Sequence, residues 1–228
     1  MKKLLYAGVV GPLLFIAVFL VEGFTRPGYS QWRNYVSQLA TGPGGWVQVV
    51  NFVVCGFLVF LYAIGLRSAI KGTRGSVAGP LLTALFGIDL IVAGAFSTDP
   101  ALGYPVGAAQ VHTVHGMIHG LAGLGAFVLF LPPSAFVMAW HFASQPGARR
   151  WALYSAAIGA LVLAVFISMT TTSALDAAGR LPDAPTGILQ RIGIIGGWTW
   201  IAMVAWRELR AARAAAAPRR PELAAFGI

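Results

Sequence analysis

The sequence predicts an all-α membrane protein: a bundle of six transmembrane helices with both termini cytoplasmic and a short interfacial helix in the first outer loop. Three observations carry this reading. First, 57% of residues are hydrophobic and only 10% are charged, with mean hydropathy +0.75, too apolar for a domain wetted on all sides. Second, six continuous apolar runs, at 4–21, 46–66, 77–96, about 111–142, 151–171 and 188–206, each approach or exceed the ~20 residues that cross ~30 Å of hydrocarbon as a helix. A membrane strand would instead show ~10 residues of alternating polarity. Third, six spans put twelve basic residues on one side (Lys2, Lys3, Arg67, Lys71, Arg74, Arg149, Arg150, Arg207, Arg210, Arg213, Arg219, Arg220) and four on the other (Arg26, Arg33, Arg180, Arg191). The basic side is expected to be cytoplasmic.

The first run follows Lys2 and Lys3 like a signal peptide, but it ends in Val21-Glu22-Gly23-Phe24 without a small-x-small cleavage pattern, so a retained helix is expected. In the connection 22–45, Trp32, Tyr35, Val36 and Leu39 recur at i, i+3, i+4, i+7, with Ser30 placed as N-cap and Pro43-Gly44-Gly45 as a stop. The short helix this predicts is either an interfacial anchor or a lid over the bundle mouth. Cys55 lies mid-span in the second run; as the single cysteine it excludes an intrachain disulfide and reads as a structural thiol. Thr98-Asp99-Pro100 stops the third helix, and Gly103-Tyr104-Pro105 makes a further turn. Pro132-Pro133 is expected to kink the long fourth helix or end its regular part. Residues 1–210 read as one transmembrane domain and 211–228 as a basic Ala/Arg/Pro cytoplasmic tail. The net charge of +9 is mostly the side-to-side bias; the partners it suggests are anionic membrane lipids, and nothing in the chain suggests nucleic acid.

The polar residues that carry candidate chemistry gather toward the outer side. His112, His115 and His119 fall at 0°, 300° and 340° on an ideal helix, a stripe about 60° wide, with Gly116 and Gly120 forming a GxxxG beside it that would admit a neighbouring backbone. Asp89 lies about seven residues, or ~10 Å, inside the third span, where a lone carboxylate costs roughly 2.5–3.5 kcal/mol. The same count puts His119 at a similar depth, so Asp89 and His119 form a candidate acid–base pair. Asp99 and His115 are then orienting or metal-binding groups near the mouth. Arg191, His112, Glu22, Tyr104 and Trp32 are candidate ligand contacts; Arg191 can hold a phosphate or carboxylate, or serve a structural salt bridge. His115 and His119, at i, i+4, are the one pair that can chelate a divalent metal such as zinc from a single helix, with Asp89 or Asp99 supplying oxygen. Bis-histidine haem would need histidines on two helices, and His141 lies at the far end of the same one. No GxSxG or phosphate-binding loop is present, leaving Ser97 and Thr98 as the nucleophiles to consider.

RPGYSQWRNYVSQLATGPGGWVQVVNF (26–52), TDPALGYPVG (98–107), HGMIHGLAG (115–123) and LQRIGIIGGWTW (189–200), in that order, resemble the bacterial six-span integral-membrane family catalogued as domain of unknown function 998. The resemblance implies the six-span bundle and a bacterial source, with multi-pass residence in the cytoplasmic membrane; it brings no reaction. Many members of that family carry an acidic residue directly after the inner histidine, where this chain has Gly120, so Asp89 would have to take that role. A looser likeness is to membrane hydrolases of the alkaline ceramidase and adiponectin-receptor type, with Asp, Ser and three His around zinc. Two functions follow: a binding protein for a lipid or small hydrophobic ligand, or a proton-linked carrier, with an outward-facing Asp/His/Arg cavity; alternatively, an acid–base or metal-dependent enzyme acting on a lipid or isoprenoid.

Overall fold

The structure, a computed structural model, describes residues 2–214. Its helices are α1 (Lys2–Thr25), α2 (Trp46–Ala69), α3 (Ala78–Ala95), α4 (Val114–Leu124), α5 (Leu131–Ala143), α6 (Arg149–Ala177) and α7 (Thr186–Ala214). A 3-10 turn covers Val36–Ala40, and a π-helical turn over Gly125–Phe130 joins α4 to α5. Six segments are long and apolar enough to cross a membrane, the fourth being Val114–Ala143 as a whole. This is a multi-pass membrane protein with the expected number of spans. The tail expected at 211–228 lies, from 215 onward, outside the described residues.

α1 packs on α2 and α7, α2 on α3, α3 on α5, α5 on α6 and α6 on α7, so the bundle closes as a ring. Arg213 near the end of α7 meets the hydroxyl of Tyr6 near the start of α1. Both helix ends therefore share one face with the short turns 70–77 and 144–148, and the long connections 26–45, 96–113 and 178–185 share the other. Lipid tails are as apolar as leucine, so close packing must hold such helices together. α2 and α3 achieve it by crossing at Gly56 and Gly87: a Cβ on Gly56 would stand 2.6 Å from the Gly87 carbonyl oxygen, and one on Gly87 would stand 2.7 Å from that of Gly56. Under the long-loop face Phe15 stacks flat on Trp198 with centroids 4.2 Å apart, and Phe52 and Phe86 close around them.

The fourth span changes character in the middle for the reason Pro132-Pro133 suggests. Neither proline has an N–H to give, and in a regular helix their rings would press on the carbonyls four residues earlier. The chain widens to a π-turn just before them, and α5 then restarts with the prolines in its first turn. The two halves part company there. α5 packs on α3 and extensively on α6, whereas α4 packs on α3 with no comparable contact to α6 or α7.

The first long connection differs from the sequence expectation. Ser30 does cap a turn, its Oγ accepting the Arg33 N–H at 3.3 Å while Asn34 Oδ1 accepts the Ser30 N–H at 2.8 Å. No amphipathic α-helix follows, however. The 3-10 turn has all five residues buried, so it plugs the bundle mouth instead of lying in the interface. Trp32, meant for the same apolar face, is exposed and donates its indole N–H to the Asp183 carbonyl at 2.9 Å.

Gly87→Ala is expected to destabilise the detergent-solubilised protein by about 1–3 kcal/mol through overpacking. Gly120→Ala, where a Cβ meets nothing within 4 Å, should be neutral or raise stability by up to about 1 kcal/mol. Thermal unfolding of both variants in one detergent checks the contrast.

Candidate functional site

A narrow cavity lies under the 3-10 turn, bounded by α1, α2, α3, α4 and α7, with aromatic walls from Phe15, Phe52, Phe86 and Trp198. Its volume is about 70 Å³, on a measure where one water needs ~10–15 Å³. It accommodates a few waters or the end of a slender chain. Val36 and Ser37 form the roof, and the polar side chains lining it are Ser37, Asp89, His119 and Gln190. On the α4 side the wall is thin: Gly123 lines the cavity, and a Cβ there would meet nothing within 4 Å.

His119 is one of only two buried residues of α4. Its Nδ1 lies 3.0 Å from the Ala93 carbonyl oxygen and 2.9 Å from that of Phe96. Carbonyls only accept, so Nδ1 carries the ring proton and Nε2 is left as an acceptor. These carbonyls are the unsatisfied end of α3, which the histidine therefore caps from the neighbouring helix.

Asp89 stands about a turn deeper than Ala93 on α3. Its carboxylate accepts the backbone N–H of Ala126 at the start of the π-turn. Gly125 lets it approach, since a Cβ there would stand 2.5 Å from Oδ1. The other oxygen, Oδ2, is buried without a hydrogen-bond partner. Asp89 and His119 thus line one cavity but make no hydrogen bond to each other.

The other sequence candidates are distributed elsewhere. α4 begins at Val114, so His112 precedes the helix and the three-histidine ladder shortens to two. His112 and His115 are exposed, His115 resting against the edge of Phe96 with centroids 5.2 Å apart. Among the described residues no three His, Cys, Asp or Glu side chains come together as a metal-holding group. Asp99 binds the start of α4, accepting the Thr113 N–H at 2.8 Å and the Thr113 hydroxyl at 2.6 Å. These bonds, and secondarily the charges of His112 and His115, hold its carboxyl below the ordinary carboxylate value. The GxxxG brings no neighbouring backbone: the Asp99 carboxylate occupies the space a Gly116 Cβ would need, and Gly120 faces open space. Ser97 and Thr98 do not line the cavity.

Arg191 turns its guanidinium into the protein, with Nε buried and without a hydrogen-bond partner. It is buried, and Nη1 donates to the carbonyls of Gln31, Asn34 and Gly187 at 2.9, 3.1 and 2.9 Å, while Nη2 donates to the Tyr29 hydroxyl at 2.5 Å. Burial pushes the Tyr29 hydroxyl up to about 12, against the pull of Arg191, so it stays protonated and donates to the Tyr35 carbonyl at 2.9 Å. Glu22 pairs with Arg26, whose guanidinium also binds the Pro43 carbonyl at 2.6 Å and that of Gly44 at 3.0 Å. Tyr104 is buried edge-on against Tyr29. Together these contacts form a lock that seats the first loop over the cavity.

A family profile described as "Protein of unknown function (DUF998)" matches residues 9–207. The chain belongs to the DUF998 family. No curated protein and no solved structure matches it.

In this DUF998 protein the segments that carry the sequence resemblance build the lock. Asn34 Nδ2 donates to the Leu102 carbonyl at 2.9 Å, Gln38 to those of Ala101 and Tyr104, and Gln190 Oε1 accepts the Val36 N–H at 2.6 Å. Arg33 grips buried Asp176 through two bonds of 2.7 and 2.8 Å. The amides Asn34, Gln38 and Gln190 escaped the sequence reading, which ranked ionisable groups above them; Arg33 entered it only as an outer basic residue and Asp176 not at all. Ser37 escaped it too, since beside Gln38, Arg33 and Asn34 it reads as one more polar position of the stretch.

Asp89→Leu should cost about 1–3 kcal/mol by stranding the Ala126 N–H, whereas Asp89→Asn, keeping an acceptor oxygen, should cost well under half of that. Denaturation of both variants decides it. Asp99 adds a pH dependence: its folded pKa is lowered, so its stabilisation is present above the ordinary value of 3.8 and lost as pH falls through the lowered one. Asp99→Asn should flatten the decline in melting temperature across that acid range relative to the parent protein.

Proposed function

We propose that this DUF998 protein binds the slender end of a lipid or isoprenoid that carries a hydrogen-bond donor, such as a hydroxyl or amine, in the cavity between α3, α4 and α7. One observation carries the reading: an aromatic-walled cavity is lined by Asp89, whose Oδ2 is buried without a hydrogen-bond partner, and by His119, whose ring is fixed through Nδ1 by two backbone carbonyls. A buried acceptor without a partner is costly, and a ligand that donates to it removes the cost. The thin glycine side of α4, unpacked against α6 and α7, is the entry route from the bilayer. The excess of basic residues on the short-turn side supports cytoplasmic termini, and with them entry of the ligand from the outer leaflet.

A long-chain isoprenoid alcohol should bind about threefold to tenfold more tightly than its methyl ether, the worth of one net hydrogen bond. His119→Phe should erase that preference and Ala122→Phe should block both compounds. Thermal-shift titration of the purified protein reads this directly; equal binding of alcohol and ether, or no binding of either, contradicts the proposal.

A membrane enzyme is the second reading, and its supporting observation is that Ser37 lines the same cavity as His119 and Asp89. In that reading His119 Nε2 takes the Ser37 proton while the Ala93 and Phe96 carbonyls fix the ring. Covalent labelling at Ser37 by a lipid-like fluorophosphonate, abolished in His119→Phe, is the expected signature; an unlabelled Ser37 leaves the binding reading alone.

A further inference from the structure

The short-turn face carries a second concavity, separate from the cavity under the first loop. Between α5 and α6, Ala139, Ala143, Ala152 and Ala156 line an open furrow edged by Trp140 and Arg149. Four alanines at a helix contact leave a groove where larger side chains would interlock. The furrow follows the ends of two spans, so it lies at the level where acyl chains meet headgroups. Trp140 is more than half exposed, and the Arg74 guanidinium lies 5.8 Å over its ring, which brings a second cation to the Trp140 side of the furrow. Among the described residues neither arginine has a carboxylate partner, and the nearby acid, Glu208, is already paired with Arg207.

We infer that this groove holds an anionic phospholipid. One acyl chain lies along the four alanines, the phosphate sits between Arg149 and Arg74, and Trp140 packs on the glycerol region, where tryptophan is favoured. The chemistry excludes the competing occupants. A second copy of the chain docked about a twofold axis through the furrow would bring the two Arg149 side chains together. A free anion gains nothing from the apolar furrow, and a zwitterionic lipid brings its own cation to a rim that already has two.

The test is native mass spectrometry of the full chain, released from mixed micelles holding equal phosphatidylglycerol and phosphatidylcholine of identical tails. The protein should retain phosphatidylglycerol preferentially. Arg149→Gln should reduce that preference about fivefold, the worth of one basic residue at an anionic surface. Ala152→Phe should abolish retention of either lipid by filling the furrow with its charges intact. Glycerol phosphate should not compete at concentrations equal to the lipid. Both variants are read only after their melting temperatures in lipid-free detergent match the parent; Ala156→Leu replaces any that does not. Equal retention of the two lipids, an unchanged preference in Arg149→Gln, or competition by glycerol phosphate overturns the assignment.

Discussion

Two adjacent prolines in the middle of the fourth span set the geometry of everything around the cavity. Because Pro132 and Pro133 cannot continue a regular ladder, the chain widens into the π-turn Gly125–Phe130. That turn lets the two halves of one span follow different neighbours, α5 fastened to α6 as well as α3, and α4 leaning chiefly on α3. The cavity occupies the space this divergence leaves. Asp89 belongs to the same event, since its carboxylate receives a backbone N–H at the start of the turn and Gly125 gives it room. A charged residue at membrane depth here has a structural duty before it has any chemical one.

The second constraint is the roof. A buried arginine without a carboxylate would be expensive, and Arg191 is compensated instead by three backbone carbonyls and the Tyr29 hydroxyl. It holds irregular backbone at the bundle mouth, which is tolerable only where protein supplies every partner. Glu22 with Arg26 and Asp176 with Arg33 do the same at its edges. The most strongly polar residues of the long-loop face are spent on keeping the roof in place, and the site beneath it keeps only Ser37, Asp89, His119 and Gln190.

The architecture was legible because the membrane requires ~20 apolar residues per span, and six such runs cannot be arranged in many ways. His119 and Asp89 were legible for a related reason: ionisable groups at membrane depth are rare and have to be accounted for. What the sequence could not show is pairing. Arg191 held through its two Nη atoms by carbonyls and a tyrosine hydroxyl reads identically to Arg191 facing a phosphate, and Gly116 facing a carboxylate reads like Gly116 facing a helix. The helical period over Trp32–Leu39 misled because a buried 3-10 turn and an interfacial α-helix share their first few apolar positions. His112 lies outside the stripe because the Asp99–Thr113 cap starts α4 at Val114, about three residues after the apolar run begins.

The dependence of Asp89 on the proline-induced turn is best tested by a double-mutant cycle in unfolding free energy between Asp89→Leu and the paired change Pro132→Ala, Pro133→Ala. Restoring a regular helix should remove the N–H that needs the carboxylate. The cost of Asp89→Leu should then fall from about 1–3 kcal/mol in the parent to near zero in the alanine background, a coupling of similar size. Equal costs in the two backgrounds would separate Asp89 from the turn and contradict this account of why the cavity exists.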